Sequence, residues 1–473
     1  MLDRERIAVA YRALIDKASA ANLPALALVF PDGQVLDVGR GRPAFSLVAR
    51  DARGEEAIAS LDALTMAEAF MDEHLDVEGD LLAATRYVEV FGDSHPWIIV
   101  WRRLQPLLLG RERLNPAWIA QHYDSANAQL LAVDRDYDTY TPGEYEGDDD
   151  TLEAGAERKL AIAFDHLGLR AGDHLLDIGC GWGGMLRYAA RRGVQVTGIT
   201  LSRDQFAYVQ KLVAREKLHA EVRYQDFCTF EPGRRFDGAT MMGVIEDLSD
   251  YRRTLRALER LVVPGGRVYL DFGASRTRFG THTFVTRYIW PGTFRLVYMP
   301  EFVEAIRESP FELEWLKNDR HNYYLWCRGM HERWAKNRAQ VEAQYGKRTW
   351  RMFALLFAGC AAMMDYRSHG VTAYRVVLEL PADSDRAFST APARRAADRL
   401  VAAAGAAREA LASAWQRLTA RPDEKPAEPL VSEEDVRPVD GVASNGEAPR
   451  AGDRAPDAAR GRSSSATHTT VAK

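Results

Sequence analysis

The sequence predicts an α/β chain: a largely parallel sheet with helices on both faces, preceded by a small α+β domain and followed by a helix and a polar tail. Two observations carry this. Between residues 152 and 273, strand-like and helix-like segments alternate with short links, the pattern that lays parallel strands side by side under helices. A glycine-rich turn, "GCGWGG" at 179–184, follows the first of these strands and opens a helix. Such sheets bind ligands at the carboxyl ends of their strands. The 473-residue length fits about two to three domains. We divide the chain into an N-terminal α+β domain (1–115), the α/β domain (116–385), a basic amphipathic helix (386–420) and a tail (421–473).

In chain order, a helix over Ile7–Ala21 precedes the strand "ALALVF", the turn "PDGQ" and the strand "FSLVAR". An Asp-Gly pair between apolar runs predicts a hairpin. The stretch "TMAEAFMDEHLDVEGDLLAATRYVEVF" carries apolar residues at helical spacing. From about Ala117 the text changes, and "YDTYTPGEYEGDDDT" is a loop rich in Gly, Pro and acids. "LEAGAERKLAIAFDHLGL" is a helix with Ala161, Phe164 and Leu167 on one face. The alternation then runs "HLLDIGC", "GMLRYAARR", "VQVTGITL", "RDQFAYVQKLVAREKL", "EVRYQDF", "FDGATMMGVIE", "YRRTLRALERLV" and "RVYLDFG". Aromatic-rich segments interrupt it at about 280–350, and "YRVVLELP" adds one more strand. Beyond it, Ala397, Leu400, Val401, Ala404, Leu411, Trp415 and Leu418 form an apolar stripe flanked by Arg394, Arg395, Arg399 and Arg408, an amphipathic helix suited to an anionic membrane or to docking on protein. The Pro-, Ala-, Ser- and charge-rich tail is expected to be disordered.

Composition excludes several classes. A net charge of −5 gives no general attraction to nucleic acid, and none is expected as a partner. Cys180, Cys228, Cys327 and Cys360 are the four cysteines, and none forms C-x-x-C. Neither a metal site nor a disulfide framework is indicated, and free thiols suit the cytoplasm. The N-terminal twenty residues lack the apolar core of a signal peptide. "FALLFAGCAAMM" falls short of the ~18 apolar residues of a spanning helix, so a soluble or peripheral protein is expected.

The glycine turn fits two fingerprints. Gly179, Gly181 and Gly184 read as the dinucleotide pattern; Gly179, Gly181 and Gly183 read as the S-adenosylmethionine pattern. A dinucleotide fold places a ribose-binding acid about 20 residues on. Here Ile199 and Thr200 stand there, and Asp204 falls inside the next helix, which counts against a nicotinamide cofactor. Asp177 stands just before the turn.

Residues from about Arg113 to Pro381 resemble the cyclopropane-fatty-acyl-phospholipid synthase and mycolic acid cyclopropane synthase family of S-adenosylmethionine-dependent methyltransferases. "HYDSAN", "LLDIGCGWGG", "GITLSRDQ", "YQDF", "VIED", "VPGGRV" and "RYIWPG" occur in the family's order, and "HLDVEGDLLA" is similar to its small leading domain. The resemblance implies a class I methyltransferase fold with a Rossmann-like sheet. It implies cofactor contacts from Tyr140 and Thr141, from Asp177 and the turn Gly179, Cys180, Gly181, Trp182 and Gly183, from the pair Thr200 and Gln205 on the ribose side, and from Asp226 and Phe227 at the adenine edge. Cys180 also reads as a small packed residue. The reaction implied is methylation of a double bond in an unsaturated phospholipid acyl chain. The cation so formed must be kept from water and then lose a proton.

Glu246 matches the family glutamate that helps hold a bicarbonate ion as base, Tyr323 (or its neighbour Tyr324) the site tyrosine, and Cys360 a cysteine near the acyl pocket. Against these stand plain readings as a helix cap, packed rings and a core thiol. The chain departs from the family at three points. Tyr140-Thr141-Pro142-Gly143 replaces Tyr-Ser-Cys, Asp247 follows the glutamate where histidine is usual, and Asp271 stands where the fifth strand usually ends in histidine. Asp271 either takes the place of the bicarbonate or caps a loop or pairs with Arg276 or Arg278. The resemblance further implies phospholipid at the inner face of a membrane, a homodimer, and an oxidoreductase partner for some products. A non-lipid acceptor and a catalytically silent lipid-binding protein are the alternatives.

Overall fold

The computed structural model describes residues 3–17, 23–92, 137, 139–248, 250–278, 283–290, 295–365 and 370–383. The helix expected at 393–418 and the tail lie outside the described residues, as does the segment before Tyr137 that contains "HYDSAN".

The N-terminal part comprises α1 (Arg4–Lys17), β1 (Leu26–Val29), β2 (Val35–Val38), β3 (Phe45–Ala49), α2 (Ala52–Ser60), α3 (Ala63–Met71), β4 (Leu75–Gly79) and α4 (Leu81–Thr85). Its sheet has the order β2-β1-β3-β4. The Asp-Gly turn does join a hairpin, but the returning strand is β2; "FSLVAR" lies parallel to β1 on the other side. The long helix expected from 65 to 91 is interrupted. Asp72 ends α3, Glu73 takes φ +64, and Leu75–Gly79 pairs antiparallel with β3. The local Leu75/Val77 alternation prevailed there over the helical spacing of the wider window. Asp51, Asp62 and Asp80 cap α2, α3 and α4 by accepting from backbone N–H groups of the first turn.

The second sheet is built from β5 (His174–Ile178), β6 (Gln195–Thr200), β7 (Ala220–Tyr224), β8 (Phe236–Met242), β9 (Val262–Ser275), β10 (Val297–Tyr298), β11 (Glu312–Asn318) and β12 (Val371–Glu379). Its order is β11-β12-β9-β8-β5-β6-β7, with β10 beside the end of β9. Strands β5–β9 are parallel as expected, whereas β12 and β11 are antiparallel, making the sheet mixed. The sequence reading had no strand at 312–318.

Helices α5 (Leu152–Leu167), α6 (Gly184–Ala190), α7 (Arg203–Glu216), α8 (Tyr251–Leu261) and α9 (Met299–Arg307) accompany the sheet. On one face Leu255, Leu258, Phe302 and Ile306 pack with Leu176, Met241, Leu270 and Phe272. On the other, Leu160, Ala163, Leu186 and Val209 pack with Leu175, Val196 and Tyr269. The buried face of α5 differs from the expected one: it is Leu152, Ala156, Lys159, Leu160, Ala163 and Leu167, with Ala161 and Phe164 only half-buried. It therefore carries a lysine into the core.

The remaining helices are α10 (Arg320–Lys336), α11 (Arg338–Tyr345) and α12 (Lys347–Met364). Trp334 of α10 packs edge-on against Phe353 and Phe357 of α12. Helix α12 also joins the N-terminal part: Arg351 donates to the Phe70 carbonyl at 2.9 Å and pairs with Asp76 at 2.7 Å, and Thr85 Oγ1 donates to the Ala358 carbonyl at 3.0 Å. Among the described residues no helix is long and apolar enough to cross a membrane.

Candidate active site

The glycine turn leaves the carboxyl end of β5. Gly179, Gly181 and Gly183 all adopt positive φ. Gly179 is constrained twice over: its φ is +65, and a Cβ there would sit 2.4 Å from Val244 Cγ2. Only glycine lets this turn touch the turn that carries Glu246. Gly184 answers a different demand, since a Cβ there would lie 2.8 Å from both the Tyr137 carbonyl and Thr139 Cγ2. The 137–145 segment thus crosses close over the turn. A Cβ on Gly181 would meet only the Gly179 carbonyl, at 4.0 Å, which leaves room before the turn's amides.

The other expected cofactor residues fall at neighbouring strand ends. Asp177 is buried at the end of β5, where Oδ1 accepts from Thr240 Oγ1 at 2.8 Å and Oδ2 has no partner. Burial pushes its carboxyl up to about 6. At the end of β6, Thr200 Oγ1 donates to Gln205 Oε1 at 2.7 Å and accepts from Ser202 N at 3.1 Å, while Ser202 caps α7. Past β7, Asp226 Oδ1 accepts from Cys228 N at 2.8 Å, and Phe227 is buried. Trp182 stands edge-on to Tyr208 at 5.3 Å. Cys180 is buried, its thiol pushed well up by burial, and its Sγ lies 3.0 Å from where a Cβ on Gly198 would stand. Its role in the described structure is packing. The residues fit S-adenosylmethionine: a glycine turn open to solvent at Gly179 and in part at Gly181, a buried carboxylate oxygen without a partner among the described residues, and polar groups at three consecutive strand ends.

The acid side lies at the ends of β8 and β9. Glu246 occupies a short turn, Ile245–Asp247, after β8. Its Oε1 accepts from Gly273 N at 2.8 Å, and Oε2 is buried without a partner. Burial raises this carboxyl to about 8, so it is protonated at neutral pH. Asp271 is fully buried on the same face of β9 as Gly273, two residues on. It pairs with neither Arg276 nor Arg278. Its Oδ2 lies 3.4 Å from Lys159 Nζ, and Oδ1 has no partner. Lys159 Nζ also donates to Thr141 Oγ1, so α5, the crossing segment and β9 meet at one buried ammonium. Burial lowers the lysine pKa, and Asp271 opposes that shift.

Tyr323 lies within electrostatic reach of these acids. Burial raises its phenol well above the ordinary value, and the charges of Glu246, Asp271 and Asp319 add to the shift. Tyr324 instead stacks on His321 at 6.2 Å. Tyr140 is set apart from the glycine turn's hydrogen bonds; its ring stands edge-on to Trp326 at 5.5 Å, and burial, then Cys360 and Cys327, raise its phenol. Cys360 hydrogen-bonds Cys327 as a free thiol and lines an apolar groove. Leu64 and Ala67 of α3, Phe284 and Val285, and Leu356 and Met363 of α12 form its walls. Met363 also packs in the cluster that holds Tyr323.

Lys159 escaped the sequence reading, although its signal was present as a cation inside an apolar stripe at helical spacing. Arg375 is similar. It sits fully buried in β12, 2.8 Å from Glu144 Oε2 and 2.9 Å from Asp319 Oδ2, and donates to the Gly143 carbonyl at 2.6 Å. It anchors the crossing segment on the sheet.

The family model for mycolic acid cyclopropane synthetase matches residues 112–374. The chain belongs to this family of S-adenosylmethionine-dependent methyltransferases. It is 32% identical over 265 residues to a probable fatty acid methyltransferase of Mycobacterium tuberculosis, covering 54% of this chain and 61% of that one. It is 27% identical over 271 residues to the cyclopropane-fatty-acyl-phospholipid synthase of Escherichia coli K12, covering 55% and 68%. The chain thus spans about six tenths of the length of the first of these relatives. Among solved structures, a mycolic acid cyclopropane synthase complexed with SAH and CTAB superposes with a TM-score of 0.52 at 23% identity, over 56% of this chain and 98% of that one. At that identity the likeness establishes the fold.

Proposed function

We propose that the chain is an S-adenosylmethionine-dependent C-methyltransferase that adds a methyl or methylene carbon to the double bond of unsaturated phospholipid acyl chains. The observation that carries this reading is the contact between Gly179 and Val244, which abuts the cofactor turn on the turn of the buried acid Glu246. The names of the two relatives, a fatty acid methyltransferase and a cyclopropane synthase, agree with it.

S-adenosylmethionine held by the glycine turn, Thr200, Gln205, Asp226 and Phe227 would supply an activated methyl group to an alkene, which is a weak nucleophile. The chain's own residues must do the rest. The apolar groove beside Cys360 and Met363 takes the acyl chain and fixes the alkene's approach, which supplies rate through orientation. Tyr323, Trp326 and Tyr140 present aromatic faces that favour a cationic chain. The dry pocket keeps water from trapping it. Glu246, neutral and held by Gly273 N, lines the pocket without adding a negative charge.

We expect binding at the inner face of a membrane, checked by flotation with anionic liposomes, and a homodimer, checked by light scattering. An oxidoreductase partner is required only if the final product is a saturated methyl branch. The test of the function is mass spectrometry of unsaturated phospholipid vesicles treated with the purified chain and deuteromethyl-labelled S-adenosylmethionine. An acyl chain one carbon heavier is expected. Two of three deuteriums retained means ring closure or a methylene branch; all three retained means a methyl branch. Absence of labelled lipid overturns the reading.

A further inference from the structure

We infer that Asp271 itself is the base that completes the reaction, and that this chain works without a bound bicarbonate. The inference rests on the methyltransferase reading above and concerns how the same pocket loses its proton. Among the described residues, Glu246 Oε2 and Asp271 Oδ1 are buried carboxyl oxygens without a hydrogen-bond partner. Their residues are joined through β9: Gly273 N binds Glu246, and Asp271 stands two residues earlier on the same face.

A bicarbonate ion does not fit this arrangement. An anion taken from water into a buried pocket needs a cation or several donors to replace its hydration. Among the described residues, two fully buried cations beside the acids are already engaged. Lys159 holds Asp271 Oδ2 and Thr141 Oγ1; Arg375 holds Glu144, Asp319 and the Gly143 carbonyl. A second anion would instead meet the unpartnered Asp271 Oδ1. That oxygen is a fixed carboxylate acceptor, built where a free one would otherwise have to be bound.

The step is balanced without a further reactant. After the acyl chain has gained its methyl carbon, it carries a cationic carbon. The bonding pair of an adjacent C–H bond becomes a new carbon–carbon bond, closing a ring or forming an alkene, and the proton passes to Asp271 Oδ1. Lys159 keeps the other oxygen in place throughout. The proton then leaves to solvent when the product is released.

The test uses the full chain with dioleoyl phosphatidylglycerol vesicles in buffer freed of carbon dioxide. Turnover of the native chain is expected to be the same within about twofold with and without added bicarbonate. Asp271→Asn is expected to lose at least about 10²-fold in turnover, with S-adenosylhomocysteine affinity by calorimetry unchanged within about threefold. An Asp271→Asn chain that retains more than about a third of native turnover overturns the proposal. So does a rise of about tenfold or more on adding bicarbonate. Binding of carbon-13 bicarbonate to the native chain, read by saturation-transfer NMR, needs neither turnover nor a variant. No bound signal is expected, and a saturable one overturns the proposal even if Asp271→Asn fails to fold. A native chain that labels no lipid refutes the function above instead, and leaves the bicarbonate measurement to decide this proposal separately.

Discussion

The glycine-turn side and the acid side of the site lie within van der Waals reach of one another at Gly179 and Val244, yet they are built in opposite ways. Around the turn, main-chain geometry and short local hydrogen bonds dominate. Thr200 bonds Gln205 five residues on, Ser202 caps its own helix, and Asp226 bonds Cys228. On the acid side every key contact joins distant segments: Lys159 to Asp271, Glu246 to Gly273, Arg375 to Glu144. Among the described residues both sides keep a buried carboxyl oxygen unsatisfied, Asp177 Oδ2 beside the turn and Glu246 Oε2 and Asp271 Oδ1 on the acid side. Orphaned buried polar atoms are costly and persist where function uses them. The difference lies in the range of the contacts that hold each side: mostly local around the turn, long-range around the acids.

The strongest way to break the comparison is at the contact itself. Gly179→Val adds a side chain against Val244 at a positive φ, and should abolish detectable S-adenosylhomocysteine binding by calorimetry. Glu246→Gln tests the acid side alone. Turnover at pH 7 should change by less than about tenfold, because a neutral amide replaces a neutral carboxyl, while that affinity holds; a parallel loss of both would show that the two sides are one unit.

The same residue sharpens the contrast through pH. The folded-state pKa of Glu246 is raised from 4.5 to about 8. The folded chain therefore keeps a proton that the unfolded chain sheds, so this stabilisation is complete below about pH 4.5 and is lost as pH rises through about 8. Relative to native protein, Glu246→Gln should gain melting temperature progressively across that window, with no relative gain below it. Arg375→Met should destabilise by about 3–5 kcal/mol in denaturant titration, because it leaves the buried Asp319 Oδ2 without its cation. A loss under about 1 kcal/mol would mean that the anchor is replaceable.

Smaller effects are expected in the groove. Ala67→Trp should move the preference toward shorter acyl chains by about tenfold, read by competition between vesicle lipids of different chain length. Cys360→Ala should change turnover by less than about threefold, as a packed thiol would.

Much of the turn side was legible in the sequence because its determinants are local. Gly179, Gly181, Thr200 and Gln205 stand at fixed short spacings, and the alternation around them set the parallel strands. Glu246 was legible for the same reason, as an acid just past a strand. The break at Glu73 and the strand Leu75–Gly79 were missed because a helical window averaged over a five-residue alternation. The antiparallel strands at the sheet's edge were hidden because strand direction depends on the path between strands.

What the sequence determined by itself is the turn, the strand order's parallel core and the identity of the acids. Only the tertiary structure decided what those acids face. Sequence spacing left Asp271 with Arg276 or Arg278 as partners, a few residues away; folding set it against Lys159, 112 positions distant. Backbone preference is written in neighbours, whereas the pairing of a buried charge is written in whichever segments close the core over it.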